Sequence, residues 1–224
     1  MENENLAKLI DHTFLKAAGD FDAVERLCRE AREHGFASVC VNPAEVALAA
    51  AALAGSGVRV CTVVGFPLGQ NTTAVKAFEA ADAVGRGARE LDYVINVRLL
   101  KYSPDACRAE LEELVRSARA LETAETGHLV LKLIIECCYL TDDEKTLASR
   151  LAKAAGFDFV KTSTGFGPGG ATVEDVRLMR GTVGPDMGVK AAGGIRTRED
   201  ALRMVAAGAT RLGCSSGLAI AAGV

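Results

Sequence analysis

Residues 157–194 read FDFVKTSTGFGPGGATVEDVRLMRGTVGPDMGVKAAGG, and this stretch contains one full repeat of a pattern. A short apolar run (157–161) ends in Lys161 and passes into a glycine-rich turn. A helical stretch (173–180) then opens behind Thr172, with Glu174 and Asp175 in its first turn. A second apolar run (188–191) carries Lys190 and ends before Gly193 and Gly194. A hydroxyl followed by acids marks a helix start, because both answer the unpaired N–H groups there. Short β-branched runs joined through such a helix predict parallel strands.

The same alternation extends in both directions. Strand-like runs fall at 38–41, 58–64, 90–97, 129–135 and 210–213. VCTVV and LVLKLII are apolar on both parities, as expected of strands covered on two faces. Helical segments fall at 43–53, 73–85, 105–122, 142–155 and 198–207, with Thr141 and Thr197 as further caps and Gly156 and Gly208 at helix ends. The segment 9–13, LIDHT, is the candidate eighth strand, followed by a helix at 21–34. Eight units in 224 residues leave about 28 each. That suits a compact α/β fold, a (β/α)8 TIM barrel with a short N-terminal segment, below the usual ~250 residues. An open doubly wound sheet would alternate in the same way. No linker rich in Pro, Gly or Ser divides the chain, so residues 1–224 are expected to form a single domain.

Composition narrows the function. With 49% apolar and 25% charged residues the chain is neither disordered nor fibrous. A net charge of −3 without a basic run argues against nucleic-acid or anionic-membrane partners, and no Trp with few aromatics argues against base stacking. The seven cysteines lack CxxC spacing and sit mostly in apolar runs, which predicts buried, reduced thiols. His12, His34 and His128 are scattered, so neither a metal site nor a cofactor is expected. MENENLAKLIDHT has no signal-peptide pattern, and the Ala-rich stretch 46–60 is too short and too broken to cross a bilayer, so a cytoplasmic protein is expected.

In a barrel of this kind the active site lies at the C-terminal ends of the strands. Lys161 and Lys190 end consecutive predicted strands, so they would stand about 4.8 Å apart. Either alone would read as a lysine reaching for solvent. Together they suggest a tuned amine, because a second ammonium at about 4 Å is worth roughly 4 kcal/mol, or about three pKa units. A lysine made partly neutral in this way is a Schiff-base nucleophile. The spacing leaves open which of the two it is. Asp92, in ELDYVINV beside Asn96, needs a partner within an apolar strand and could move protons as an acid and base. Its other reading is a structural salt bridge. Asp11 and Thr13 are candidates for substrate hydroxyls, or for a cap. Lys132 and Glu136 share a strand face and read as a supporting pair near the substrate. Gly193, Gly194 and Arg196 follow strand seven, and Gly213, Ser215 and Ser216 follow strand eight, where barrels of this class often hold phosphate.

LIDHTFLK, SVCVNP, GFPLGQNTTAVK, ELDYVINV, LKLIIE, VKTSTGFGPGGAT, VKAAGGIR and RLGCSSG, in that order and over nearly the whole chain, resemble the blocks of the class I deoxyribose-phosphate aldolases. The resemblance implies a carbon–carbon lyase that cleaves 2-deoxy-D-ribose 5-phosphate to D-glyceraldehyde 3-phosphate and acetaldehyde, reversibly, and commonly assembles as a homodimer or homotetramer. It implies Lys161 as the Schiff-base lysine, Lys190 as the residue that depresses its pKa, and Asp92 with Lys190 as proton movers. It places Gly165, Gly193, Gly194, Arg196, Gly213, Ser215 and Ser216 at the phosphate, Asp11 and Thr13 near the substrate hydroxyls, and Cys40 near the pocket. Arg98 stands where the family usually has Gly, and Ala192 where Ser is common. The final GLAIAAGV lacks the Tyr-terminated tail of some members, so no tail contribution to proton transfer is implied. The alternatives are another phosphate-binding TIM-barrel aldolase, a sugar-phosphate isomerase, or a non-enzymatic binder on the same barrel.

Overall fold

The computed structural model describes residues 6–223. Residues 1–5, part of the stretch read above against a signal peptide, and Val224 lie outside the described residues. Eight parallel strands close into a barrel in chain order: β1 (Ile10–Phe14), β2 (Ser38–Val41), β3 (Arg59–Val64), β4 (Glu90–Val94), β5 (Val130–Ile134), β6 (Phe159–Lys161), β7 (Gly188–Ala192) and β8 (Arg211–Cys214). β8 returns to β1, pairing Asp11 with Gly213. The open-sheet alternative is thereby set aside.

The helices between them are α1 (Ala23–His34), α2 (Val46–Ala52), α3 (Thr73–Gly85), α4 (Val97–Tyr102), α5 (Pro104–Arg119), α6 (Asp142–Ala155), α7 (Val173–Val183), α8 (Arg198–Ala206) and α9 (Gly217–Ala222). Their starts follow the caps read from the sequence. Thr141, Thr172 and Thr197 each accept a hydrogen bond from the backbone N–H three residues on, and Thr141–Glu144 and Thr197–Asp200 form reciprocal capping boxes. Two helices were not anticipated. The expected strand 90–97 stops at Val94, because the Asn96 side chain accepts from Leu99 N–H at 3.1 Å and opens α4. Asn96 is thus a helix cap rather than a strand neighbour of Asp92. Arg98 is exposed on α4. The other, α9, follows the last strand in a stretch with too little amphipathic pattern to declare itself.

The strand parities divide the molecule. Leu91, Tyr93, Leu131, Leu133, Val160, Val189 and Leu212 are fully buried in the layer between strands and helices. Each such large side chain contributes roughly 1.5–3 kcal/mol by leaving water. The opposite parity faces the barrel interior. There Asp11, Ser38, Glu90, Asp92, Lys132, Lys161 and Lys190 are buried where such barrels commonly stack Val, Ile and Leu. Glycines make room for the large members. A Cβ on Gly188 would lie 2.2 Å from the Phe159 ring, and one on Gly213 would lie 3.1 Å from Lys190 Cε.

Candidate active site

Asp92 is the hub. The register sets it beside Lys132, and sets Lys161 beside Lys190 on the next pair of strands. Lys132 Nζ donates to Asp92 Oδ1 at 2.8 Å, while Lys161 and Lys190 both donate to Oδ2 at 2.7 Å. The two neighbouring lysines therefore share one carboxylate oxygen. Burial alone would raise the Asp92 pKa, but the three ammonium groups outweigh it and hold the carboxyl well below its ordinary value. For Lys190, burial works against the charge, and Asp11 and Asp92 overcome it and raise the pKa above the usual lysine value. Lys132 is raised in the same way, against burial, by Asp92, Cys61, Glu90 and Asp11.

A second layer supports the hub. Asp11 accepts from Ser38 Oγ at 2.7 Å and from Arg211 Nε at 2.6 Å, and its other oxygen meets Lys190. Glu90 takes Arg211 at 2.8 Å on both oxygens and Lys132 at 2.6 Å. Three carboxylates thus face three lysines and an arginine in one network. Glu90 and Arg211 were not singled out from the sequence. The available signal was parity, since Glu90 shares the inward face of β4 with Asp92.

Above this layer lies a cleft of about 620 Å³. Lys161 opens into it, 3% exposed, whereas Lys132 and Lys190 are completely buried and do not line it. Thr13, Gly165, Gly193, Gly194, Arg196, Gly213 and Ser215 also line the cleft. Gly165, Gly193 and Gly194 have φ of 85°, 87° and 82°, a left-handed backbone that favours glycine. Phe66 and Phe166 meet edge to face at 5.2 Å, with Phe166 on the cleft wall. Two depressions of comparable size, one between α1 and α2 and one at the opposite end of the barrel, lack such a lysine cluster.

Several expected contacts are placed differently. Asp11, Cys40 and Lys132 are at most 1% exposed and do not line the cleft, although the register sets Cys40 beside Thr13, which does. Asp11 and Lys132 are held within the ion-pair cluster, and Cys40 packs with Leu15, Cys61 and Val63. Lys132 and Glu136 do not pair. Lys132 bonds Asp92 and Glu90, whereas Glu136 lies beyond the end of β5 and accepts from Thr164 N–H at 3.1 Å. Ser216 sits at the start of α9, off the cleft wall. The Arg196 N–H is already given to Asp200 at 3.1 Å, so only its exposed side chain is left for an anion. Ala192 ends β7 and accepts from Thr162 Oγ1 at 3.2 Å, a loop-packing role.

Among the cysteines, Cys138 is exposed, against expectation, and the other six are buried. Cys61 donates to Asp92 Oδ1 at 3.3 Å, and burial with the neighbouring Cys40 and Asp92 pushes its thiol well up, so it stays a neutral donor. Cys40, Cys61 and Asp92, and likewise Asp11, Cys61 and Glu90, come close enough to hold a cation. Their carboxylates are already taken by lysine and arginine, whose charges oppose a metal ion.

The geometry is that of an amine cluster beneath an open cleft. The profile of the DeoC/LacD family aldolases matches residues 5–223. The deoxyribose-phosphate aldolase of Thermoanaerobacter pseudethanolicus is 56% identical over 97% of this chain and 96% of its own. That of Clostridium perfringens strain SM101 is 54% identical over 100% of this chain and 97% of its own. The tetrameric deoxyribose phosphate aldolase of Aeropyrum pernix superposes with a TM-score of 0.88 at 35% identity, covering 97% of this chain and 89% of that one. On these grounds the chain belongs to the DeoC/LacD family of aldolases.

Proposed function

We propose that this chain is a deoxyribose-phosphate aldolase that works through a Schiff base on Lys161. One observation carries the assignment: of the three lysines on Asp92, only Lys161 opens into the cleft. Lys190, sealed between Asp11 and Asp92, keeps its charge and cannot reach a carbonyl entering from the mouth.

The chemistry follows from this arrangement. The C1 aldehyde of open-chain 2-deoxy-D-ribose 5-phosphate meets the Lys161 amine. The amine's proton leaves through Asp92, a nitrogen–carbon bond forms, and loss of water gives an iminium ion. Removal of the C3 hydroxyl proton turns that oxygen into the new carbonyl. The C2–C3 pair flows into the iminium, which becomes an enamine as D-glyceraldehyde 3-phosphate departs. Protonation at C2 and hydrolysis release acetaldehyde and restore the amine. Asp92 and Lys190, hydrogen-bonded at one oxygen beside Lys161, are the groups through which these protons move. The glycine loops and Arg196 are assigned to the phosphate, and Thr13 to a sugar hydroxyl, because all line the cleft around Lys161.

Further properties belong to the same reading. The described residues 6–223 act as one domain, since the barrel draws its strands from Ile10 to Cys214. A homo-oligomer is supported by the tetrameric relative from Aeropyrum pernix. No helix of the described residues is long and apolar enough to cross a membrane, and the free thiols suit a reducing cytoplasm. The direct test incubates the protein with 2-deoxy-D-ribose 5-phosphate, with and without EDTA. Acetaldehyde and D-glyceraldehyde 3-phosphate are expected in equal amounts in both. An isomerised pentose without acetaldehyde, or activity lost on chelation, would overturn the reading.

A further inference from the structure

Of the buried carboxylates outside the lysine cluster, Glu110 pairs with Lys76 and Asp175 with Lys145, whereas Glu136 has no cationic partner among the described residues. Glu136 is 4% exposed and has φ of 55°, the one non-glycine residue with positive φ among the described residues. L side chains rarely adopt that backbone, so something outside it must hold the residue there. Backbone pairing with β6 continues on both sides of it. Ile135 N–H donates to Lys161 O, and Cys137 N–H to Thr162 O, both at 2.9 Å. The left-handed turn between these two bonds aims the carboxylate at the loop that follows Lys161.

There Thr164 N–H donates to one carboxylate oxygen at 3.1 Å and Thr164 Oγ1–H donates to the other. The same Oγ1 accepts from Phe166 N–H at 3.0 Å, so Gly165 is bracketed between two anchored residues. The loop passes close above. A Cβ on Gly167 would stand 3.3 Å from the Glu136 carboxyl carbon. Its far end grips the next glycine loop, since Ala171 N–H donates to Ala192 O and Gly193 O at 3.1 and 3.0 Å. A Cβ on Gly193 would lie 3.0 Å from Gly170 Cα and 3.6 Å from Gly165 Cα. One carboxylate therefore fixes a contact chain running through both glycine walls of the cleft, while making no hydrogen bond to Lys161, Lys190 or Asp92.

We propose that Glu136 is a positioning residue that holds the Gly165 and Gly193 loops in register, and so sets the preference for a phosphorylated over an unphosphorylated sugar. The proposal rests on the aldolase reading above. A carboxylate is suited to the place because both of its Thr164 partners are donors. Glutamine would turn an amide NH2 toward one of them.

The test compares Glu136→Gln and wild type on 2-deoxyribose 5-phosphate and on unphosphorylated 2-deoxyribose. For the phosphorylated sugar KM should rise about tenfold, the scale of one lost hydrogen bond to a charged group. On 2-deoxyribose kcat/KM should stay within about twofold, because the loss falls only on binding of the missing group. Glu136→Gly, which tolerates the left-handed backbone, should show the same selective loss if the glutamine variant folds poorly. Equal loss on both sugars, or no loss on either, overturns the positioning role while leaving the aldolase reading intact. Wild-type protein that cleaves neither sugar overturns both.

Discussion

At the floor of the barrel Asp11, Glu90, Asp92, Lys132, Lys190 and Arg211 meet through buried side chains, whereas the mouth above them mixes glycine backbone and exposed polar groups such as Arg196 and Ser215 with apolar side chains such as Leu15, Phe166 and Ile195. The floor is charged, buried and mutually neutralising. Removing one partner leaves another charge stranded in low dielectric. At the mouth a lost side chain is replaced by water. Chemistry and stability are therefore coupled at the floor, and binding is tuned separately at the mouth.

Asp92→Asn tests the coupling most severely. It leaves three ammonium groups around a neutral amide, so stability should fall by about 3–5 kcal/mol in urea titration. Loss of the proton mover should cut kcat by about 10²–10⁴-fold. A folded variant of native stability would contradict the account of the floor.

The floor also predicts how stability depends on pH. Asp11 and Asp92 have depressed pKa values, so their contribution is present above the ordinary carboxylate value of 3.8 and is lost as pH falls through their folded values. Lys132 and Lys190 are raised, so theirs is present below 10.5 and is lost as pH rises through their folded values. The urea midpoint should hold level from about pH 5 to 9 and fall outside that range. A decline that begins between neutrality and pH 5 would contradict these assignments.

Two glycines separate floor from mouth at smaller scale. A Cβ on Gly213 would press on Ala192 Cβ at 3.0 Å and Lys190 Cε at 3.1 Å. Gly213→Ala should therefore cost about 1–3 kcal/mol and lower kcat by displacing Lys190. Gly194 has open space around its missing Cβ but a φ of 82°. Gly194→Ala should cost about 1–2 kcal/mol from the left-handed backbone and act on KM instead. Steady-state kinetics on both variants checks the division. The smallest effect is expected at Arg196, exposed at the rim. Arg196→Ala should raise KM a few-fold at low salt, and the difference should shrink as ionic strength rises.

The strands, most helices and the lysine pair were legible because each leaves a local mark. Lys161 and Lys190 end apolar runs before glycines, and Thr141, Thr172 and Thr197 stand before acids. The rest depended on contacts between distant strands. Asp11 and Lys132 read as substrate contacts because nothing local separates a floor position from a rim position one layer higher. Glu90 and Arg211 went unnoticed because a charge at the start of a strand looks like a surface charge until closure brings β8 round to β1. Glu136 was paired with Lys132 by strand parity, which fails once the backbone turns left-handed beyond Ile134. The VINV stretch hid α4 because its β-branched residues favour strand, and the Asn96 cap overrides that preference.

Lys161 alone, among the lysines of the cluster, is open to a carbonyl. Borohydride reduction in the presence of acetaldehyde, followed by peptide mass mapping, tests it most directly. One N-ethyl group is expected on Lys161, formed equally well with and without EDTA, and none in the Lys161→Met variant. An adduct on Lys190 or Lys132, or no adduct in active protein, would contradict it.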